Sequence, residues 1–370
     1  MRVLVFGTYD TASHPRVGTI AEGLRADGAE VEECNAPLGL ATADRVAMLA
    51  SPWRVPRLVV RIAGRWARLV LASRRVRRPD VVVVGYLGHF DVHLARLLFR
   101  GVPIVLDHLI GASDTARDRR IHGRVRQFLL RAIDAAALRA ADVIVVDTDE
   151  HLAALPEGHR GRGVVVEVGA PAAWLHQHQD PPSPRTPLRV VFFGLFTPLQ
   201  GAPVIGEALR LLAGAPIEVT MVGTGQDEAA AKQAAGASPA VTWTPWVPAA
   251  ALPALVASHD VCLGIFGTGD KARRVVPNKV FQGAAAGCAI VTSDTPPQRR
   301  VLGEAAILVT PGDPGALADA LLGLAADPAE LARLRAAATR LAAERFAAHR
   351  VVEPLWARLT ADLAGVHQRG

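Results

Sequence analysis

Two groups of residues in this chain have the types and spacing to do chemistry. The first is cationic: Lys271, Arg273, Arg274 and Lys279 fall inside residues 264–295, GIFGTGDKARRVVPNKVFQGAAAGCAIVTSDT, between two apolar runs. The run 261–266 reads as a buried strand, Gly267-Thr268-Gly269 as a turn, and Pro277 stands where a first helical turn tolerates a missing N–H. A helix starting there aims unpaired backbone N–H groups at the space Lys279 shares, an arrangement that binds phosphate. Of 41 lysines and arginines only Lys232, Lys271 and Lys279 are lysine, and two of them lie in this loop. An ammonium is not interchangeable with a guanidinium fork at a tight phosphate site, so the two mark a candidate site; chance retention is the competing explanation.

The second group is rich in His and Asp and recurs in short segments after apolar runs: GTYDTASHPR (7–16) with Tyr9, His14 and Arg16, YLGHFD (86–91) with Tyr86, His89 and Asp91, DHLIGASDTARD (107–118), and DTDEH (147–151). His108 directly follows the run 103–107, beside Asp107, where it can hold an acceptor or shuttle a proton. His14, His89, His93 and His151 are further candidates, each weighed against the commoner role of a satisfied structural histidine. The glycines Gly194 and Gly201, and Gly223 and Gly225, each follow an apolar run and open a helical pattern. Such loops let backbone N–H groups approach a diphosphate, although any tight strand-to-helix turn favours glycine. There is no GxxxxGK[ST], no GxGxxG after the first strand and no GxSxG, which argues against a P-loop NTPase, a nicotinamide dehydrogenase and a serine hydrolase of that kind. His176 and His178 sit in a proline-rich segment, and no metal or cofactor is expected.

The elements that must position these groups alternate short β-branched runs with helical patterns. Runs at 2–6, 80–85, 103–107 and 142–147 predict one parallel, doubly wound sheet; runs at 188–193, 217–222, 241–244, 260–266, 289–293 and 306–309 predict a second. Between them HQHQDPPSPRTP (176–187) has four prolines and no apolar periodicity, and reads as a linker. The expected domains are 1–178, 187–345, and a terminal helical stretch 346–370 that packs back on the first domain. With 370 residues, half of them hydrophobic, two cores are expected. The three scattered cysteines and the short apolar start predict a reducing, cytoplasmic setting, and the Ala- and Arg-rich usage a bacterial source with GC-rich DNA. The charge of +6 favours acidic ligands, without pointing to nucleic acid.

These loops resemble the family-4 glycosyltransferases, retaining enzymes of GT-B fold in which two Rossmann-like lobes face each other across a cleft. FFGLFTPLQG (192–201), MVGTGQ (221–226), the turn at Trp246-Val247-Pro248 and VPNKVFQGAAAGCAIVTSDTPPQRRVL (276–302) are similar to the family's donor lobe; FGTYDTASHPR and GHFD look like the opening lobe of one branch. The resemblance implies a metal-independent transfer, with retention, of a sugar from a nucleoside diphosphate sugar to an acceptor in the first lobe. It implies catalytic roles for His108, Asp107 and Lys279. Donor binding would fall to Gly194, Thr197, Gln200, Gly201, Gly223, Gly225, Trp246 and Val247, with Lys271, Arg274, Asn278, Phe281 and Gln282. Acceptor binding would fall to Tyr9, His14, Arg16, Tyr86, His89 and Asp91. Where the family has an Arg and a Lys after the first strand of the donor lobe this chain has Leu195 and Gln200, and where it has two glutamates on the donor helix this chain has Arg274 and Gln282. A sugar-nucleotide epimerase of the same fold, and a sugar-nucleotide-binding subunit without turnover, are the alternatives.

One feature lies outside this scheme. Across residues 53–78, Arg54, Arg57, Arg61, Arg65 and Arg68 recur at helical spacing beside Leu58, Val59, Ile62, Trp66, Leu69 and Val70, with Trp53 at the start. The stretch fits a peripheral contact at the inner face of a membrane, and equally a sheet-covering helix whose arginines are solvated.

Overall fold

The structure is a computed structural model that describes residues 1–11, 15–39, 55–85, 88–109, 111–118, 123–175, 187–237 and 240–367. Two compact units divide it: Met1–Glu167 with Ala348–Gly370, and Val168–Ala347.

The first unit contains β1 (Arg2–Gly7), α1 (Arg16–Ala26), β2 (Glu30–Asn35), α2 (Val55–Ser73), β3 (Val81–Val84), α3 (Asp91–Leu98), β4 (Ile104–Asp107), α4 (Ala112–Asp118), α5 (Arg124–Ala140), β5 (Val143–Val146), α6 (Asp149–Ala154), α7 (Glu157–Arg160) and β6 (Gly163–Val165). All six strands are parallel, in the order β2-β1-β3-β4-β5-β6. Strand alternation sorts the side chains by face. Leu4, Phe6, Val82, Val84, Ile104 and Leu106 pack under α2, α3 and α5, while Val3, Val81, Val83, Val105 and Val143 pack against α1 and the terminal helix.

The second unit contains α8 (Ala172–Leu175), β7 (Leu188–Phe193), α9 (Ala202–Leu211), β8 (Ile217–Val222), α10 (Glu228–Ala235), β9 (Val241–Thr244), α11 (Leu252–Ala257), β10 (Val261–Leu263), α12 (Asn278–Ala285), β11 (Ala289–Ser293), α13 (Pro296–Leu302), β12 (Ala306–Val309), α14 (Pro314–Ala326) and α15 (Pro328–Leu341). Its strands, again parallel, run β12-β11-β10-β7-β8-β9. The last helix, α16 (Ala348–His367), returns to the first unit: Val352, Leu355 and Leu359 are buried beside Ile20 and Leu24, and Gly23 lies so close to the Ala348 carbonyl that a Cβ there would collide.

Two features differ from the sequence expectation. The units divide at Glu167/Val168, ahead of the expected end at 178. The Ala170 N–H donates to the Phe346 carbonyl and Trp174 stacks on Phe193 at 5.6 Å, so this stretch packs with the second unit. The linker at 176–186 lies outside the described residues. The other difference is two unanticipated strands, β2 and β6, both at sheet edges. β2 reads EVEECN and buries only Cys34, so its charged side chains hide the usual alternation.

Candidate functional site

In open parallel sheets ligands bind beyond the carboxyl ends of strands, where neighbouring connections leave on opposite faces. In the second unit this point lies between β7 and β10. The helix after β7, α9, covers the face that carries Phe192 and Leu263, whereas α12 after β10 covers the opposite face, with Gly283 against Cys262.

The loops at this point interlock through glycine. Gly201 caps α9 in the left-handed region (φ 67°), and a Cβ on it would lie 2.5 Å from the Phe266 carbonyl carbon. Gly223 (φ 134°) presses on the Gly194 carbonyl and Gly225 on Phe196. These four glycines, expected to admit a diphosphate, first of all let the β7, β8 and β10 loops approach one another.

Lys279, in the first turn of α12, is buried. Its Nζ donates to Gln200 Oε1 at 2.5 Å and lies 3.5 Å from the centroid of the Phe192 ring. Burial pulls its ammonium well below the ordinary lysine range, opposed by the neighbouring Cys262 thiol, itself pushed up by burial to about 12. Gln200 and Lys279 are 79 positions apart in sequence. The fold thus brings an ammonium to the position after β7 where the resemblance expects a cation and the chain has glutamine.

Thr197 and Gln282 are buried in the same region; Asn278 and Lys271 are partly buried, and Arg274 Nε donates to the Asp270 carbonyl at 3.3 Å. Trp246, beyond β9, is exposed and followed by half-buried Val247. Phe281, expected at the donor, is instead a core residue, packed edge-on against Phe346 at 4.8 Å.

In the first unit the carboxyl ends of β4 and β5 collect the His/Asp group. His108 is partly buried; its Nδ1 has no hydrogen-bond partner among the described residues, and its ring meets His89 edge-on at 5.5 Å. Burial, reinforced by His89, lowers His108 to about 3, so its imidazole is neutral at ordinary pH. His89 Nε2 approaches Asp134 Oδ1 at 3.2 Å. Burial raises the Asp134 carboxyl, but His89 and the N–H groups of Ala112 and Ser113 outweigh it and hold it near 2. Beyond β5, His151 Nδ1 lies 2.5 Å from Asp147 Oδ1.

Several residues expected to touch an acceptor are committed to the fold. Arg16 is buried, donating to Asp107 Oδ1 at 2.9 Å and to the carbonyls of Val166 and Glu167. Asp107 keeps Oδ2 without a partner among the described residues; burial pushes its carboxyl up, against the pull of Arg16. Tyr9 is buried and donates its hydroxyl to Glu33 at 2.9 Å. Asp91 accepts from the Thr8 N–H, the Thr8 hydroxyl and Trp66 Nε1 at 2.7–2.8 Å. His14 and Tyr86 lie outside the described residues.

Asp134 was not among the expected site residues, although it is the only carboxylate in its helix. The Asp147/His151 pair was visible as an i, i+4 spacing just past a strand. Among the described residues no group of three or more His, Cys, Asp or Glu is arranged to hold a metal.

Residues 187–327, within the second unit, match the family model described as Glycosyl transferases group 1. No curated protein sequence matches the chain. Solved structures similar to the whole chain include HepE from Anabaena in complex with UDP and glucose (15% identity, TM-score 0.70, 98% of this chain and 100% of that one). Sucrose-phosphate synthase from Thermosynechococcus elongatus is similar at 14% identity and TM-score 0.68, over 100% and 98% of the two chains. So is a UDP-forming α,α-trehalose-phosphate synthase from Burkholderia vietnamiensis (14%, TM-score 0.64, 97% and 96%). At these identities the likeness establishes the fold, two Rossmann-like units of the GT-B kind. The family match supports a glycosyltransferase, and neither it nor the neighbours favours the epimerase or the binding subunit without turnover.

Proposed function

We propose that the chain is a glycosyltransferase that takes a sugar from a nucleoside diphosphate sugar bound by the second unit and passes it to an acceptor held by the first. The observation that carries this reading is the Lys279 ammonium lodged at Gln200, at the start of α12 and the mouth of the β7 loop. A leaving diphosphate needs preorganised positive charge where its own charge develops, and a buried ammonium beside a helix N-terminus supplies it with little reorganisation. Exposed Trp246 offers a face on which a base can stack. Solved neighbours were captured with UDP and with UDP-glucose, which favours a uridine donor here.

In the first unit, neutral His108 with a free Nδ1 suits a hydrogen bond to an uncharged hydroxyl better than to a phosphate. Asp107 acts through Arg16 and the end of β4 as a positioning residue, its Oδ2 the remaining acceptor. The donor phosphate can take the acceptor proton as the glycosidic bond breaks, so a retaining transfer without a metal needs no strong protein base.

Thermal-shift measurements with UDP, GDP, ADP and dTDP test the reading. One nucleotide at ~100 times its Kd should stabilise the protein by about 2.7 kcal/mol. A melting curve that none of the four moves, even at millimolar concentration, would sink it.

A further inference from the structure

We propose that the outer surface of the helical layer α2, α3 and α5 docks the first unit on an anionic lipid bilayer. The three helices lie side by side on one face of the sheet, α3 touching both neighbours, so their outer faces look the same way. On α2 the inner stripe is Leu58, Ile62, Trp66 and Leu69. Trp66 therefore belongs to the core, not to a membrane anchor, with its Nε1 bonded to Asp91. The opposite stripe is Val60, Ala63, Ala67 and Leu71, in which Val60 is 72% and Leu71 61% exposed. Arg57, Arg61 and Arg68, all exposed, run along one flank of it.

α5 repeats the pattern. Val125, Phe128 and Leu129, spaced i, i+3, i+4, are 75%, 70% and 55% exposed, with exposed Arg124 and Arg131 beside them. Leu97 on the intervening α3 is exposed as well. A helix that only covers a sheet turns polar side chains to water at these positions. Rows of valine, leucine and phenylalanine there gain from burial against something else.

Charge selects the occupant. α2 has no carboxylate, and the single acids of α3 and α5, Asp91 and Asp134, are buried and bonded inward. The outer face of the layer thus combines arginine with apolar side chains. Acidic lipid offers phosphates to the arginines and, slightly deeper, acyl chain to Val60, Leu71 and Phe128. No described helix is long and apolar enough to cross a membrane, and this contact requires none.

Sedimentation of the full chain with vesicles of phosphatidylcholine, alone or mixed with phosphatidylglycerol, tests the proposal independently of catalysis. Binding should rise with phosphatidylglycerol and fall with salt. Replacing Arg57, Arg61 and Arg68 together by Gln should lower the partition coefficient by about tenfold or more, and Phe128→Ser alone by about tenfold. All four side chains are exposed, so each variant should melt like the parent, and Val60→Ser provides a second apolar variant if one does not. Protein left in the supernatant with anionic vesicles at low salt overturns the proposal. So does binding that ignores lipid charge and the arginines. A concentration-dependent dimer that Phe128→Ser dissociates, without vesicle binding, would assign the surface to a second copy of the chain.

Discussion

In the proposed reaction Lys279 and His108 carry the chemistry at the scale of single residues, and both are perturbed by burial. The free Lys279 ammonium has a lowered pKa, and a bound diphosphate must raise it again. Nucleotide binding above the lowered value should therefore take up a proton, and UDP affinity should fall as pH rises through the window between the free and bound values. Calorimetry in buffers of different ionisation enthalpy reads this directly. Lys279→Met should abolish the proton uptake and weaken UDP far more than uridine, whereas equal losses for both ligands would reduce the residue to a fold contact. For His108 the folded value of about 3 lies below the unfolded 6.5, so between them the unfolded chain binds more protons and stability increases with pH. The expected slope is about 1.4 kcal/mol per pH unit, full stability being present above 6.5 and lost on acidification. His108→Asn should flatten this part of the urea midpoint against pH and cut sugar transfer while leaving UDP affinity unchanged. Both residues were legible as candidates because each directly follows a strand or opens a helix. The commitments of Arg16, Tyr9 and Phe281 were not, since their partners Asp107, Glu33 and Phe346 lie far along the chain or gave no motif.

Elements positioned these residues through contacts that composition predicts only in part. Ten of the twelve described strands follow from short apolar, mostly β-branched runs; the central ones, such as β3, β4, β5 and β11, are buried on both faces and need no polar alternation. Of the four edge strands, β2 and β6 escaped this signal. Glycine placement was visible, but its first use was not: the glycines after β7 and β8 are required by the neighbouring loops before any ligand arrives. Gly223→Ala should then cost about 2–4 kcal/mol in urea unfolding, from both its positive φ and the collision with the Gly194 carbonyl. Gly269→Ala, which meets nothing within 4 Å, should stay within about 0.5 kcal/mol. Similar costs for both would mean that the loops do not interlock as described. In α2 the helical period was readable from arginine spacing, yet only the packed layer distinguishes buried Leu69 from exposed Leu71, two positions on.

On the scale of the whole molecule, the first unit is discontinuous: α16 closes its sheet from the far end of the chain. Leu355→Ala should accordingly destabilise β1 and β3–β5 by about 2–5 kcal/mol and leave β7–β12 protected, as followed by hydrogen exchange of peptides from each unit. Loss of protection in the second unit alone would contradict that assignment. The amino-acid sequence by itself determined what depends on local period and side-chain type: two parallel α/β sheets, the glycine- and cation-rich loop before α12 and the His/Asp segments after β4 and β5. Tertiary structure alone decided what depends on residues far apart in the chain. It set Lys279 beside Gln200, consumed Asp91 and Arg16 in the core, gathered His89, His108 and Asp134, and turned the apolar stripes of α2 and α5 outward. The physical reason is that helix and strand periods specify which side chains share a face, whereas the partner each face meets is settled by packing between elements that only the folded chain brings together.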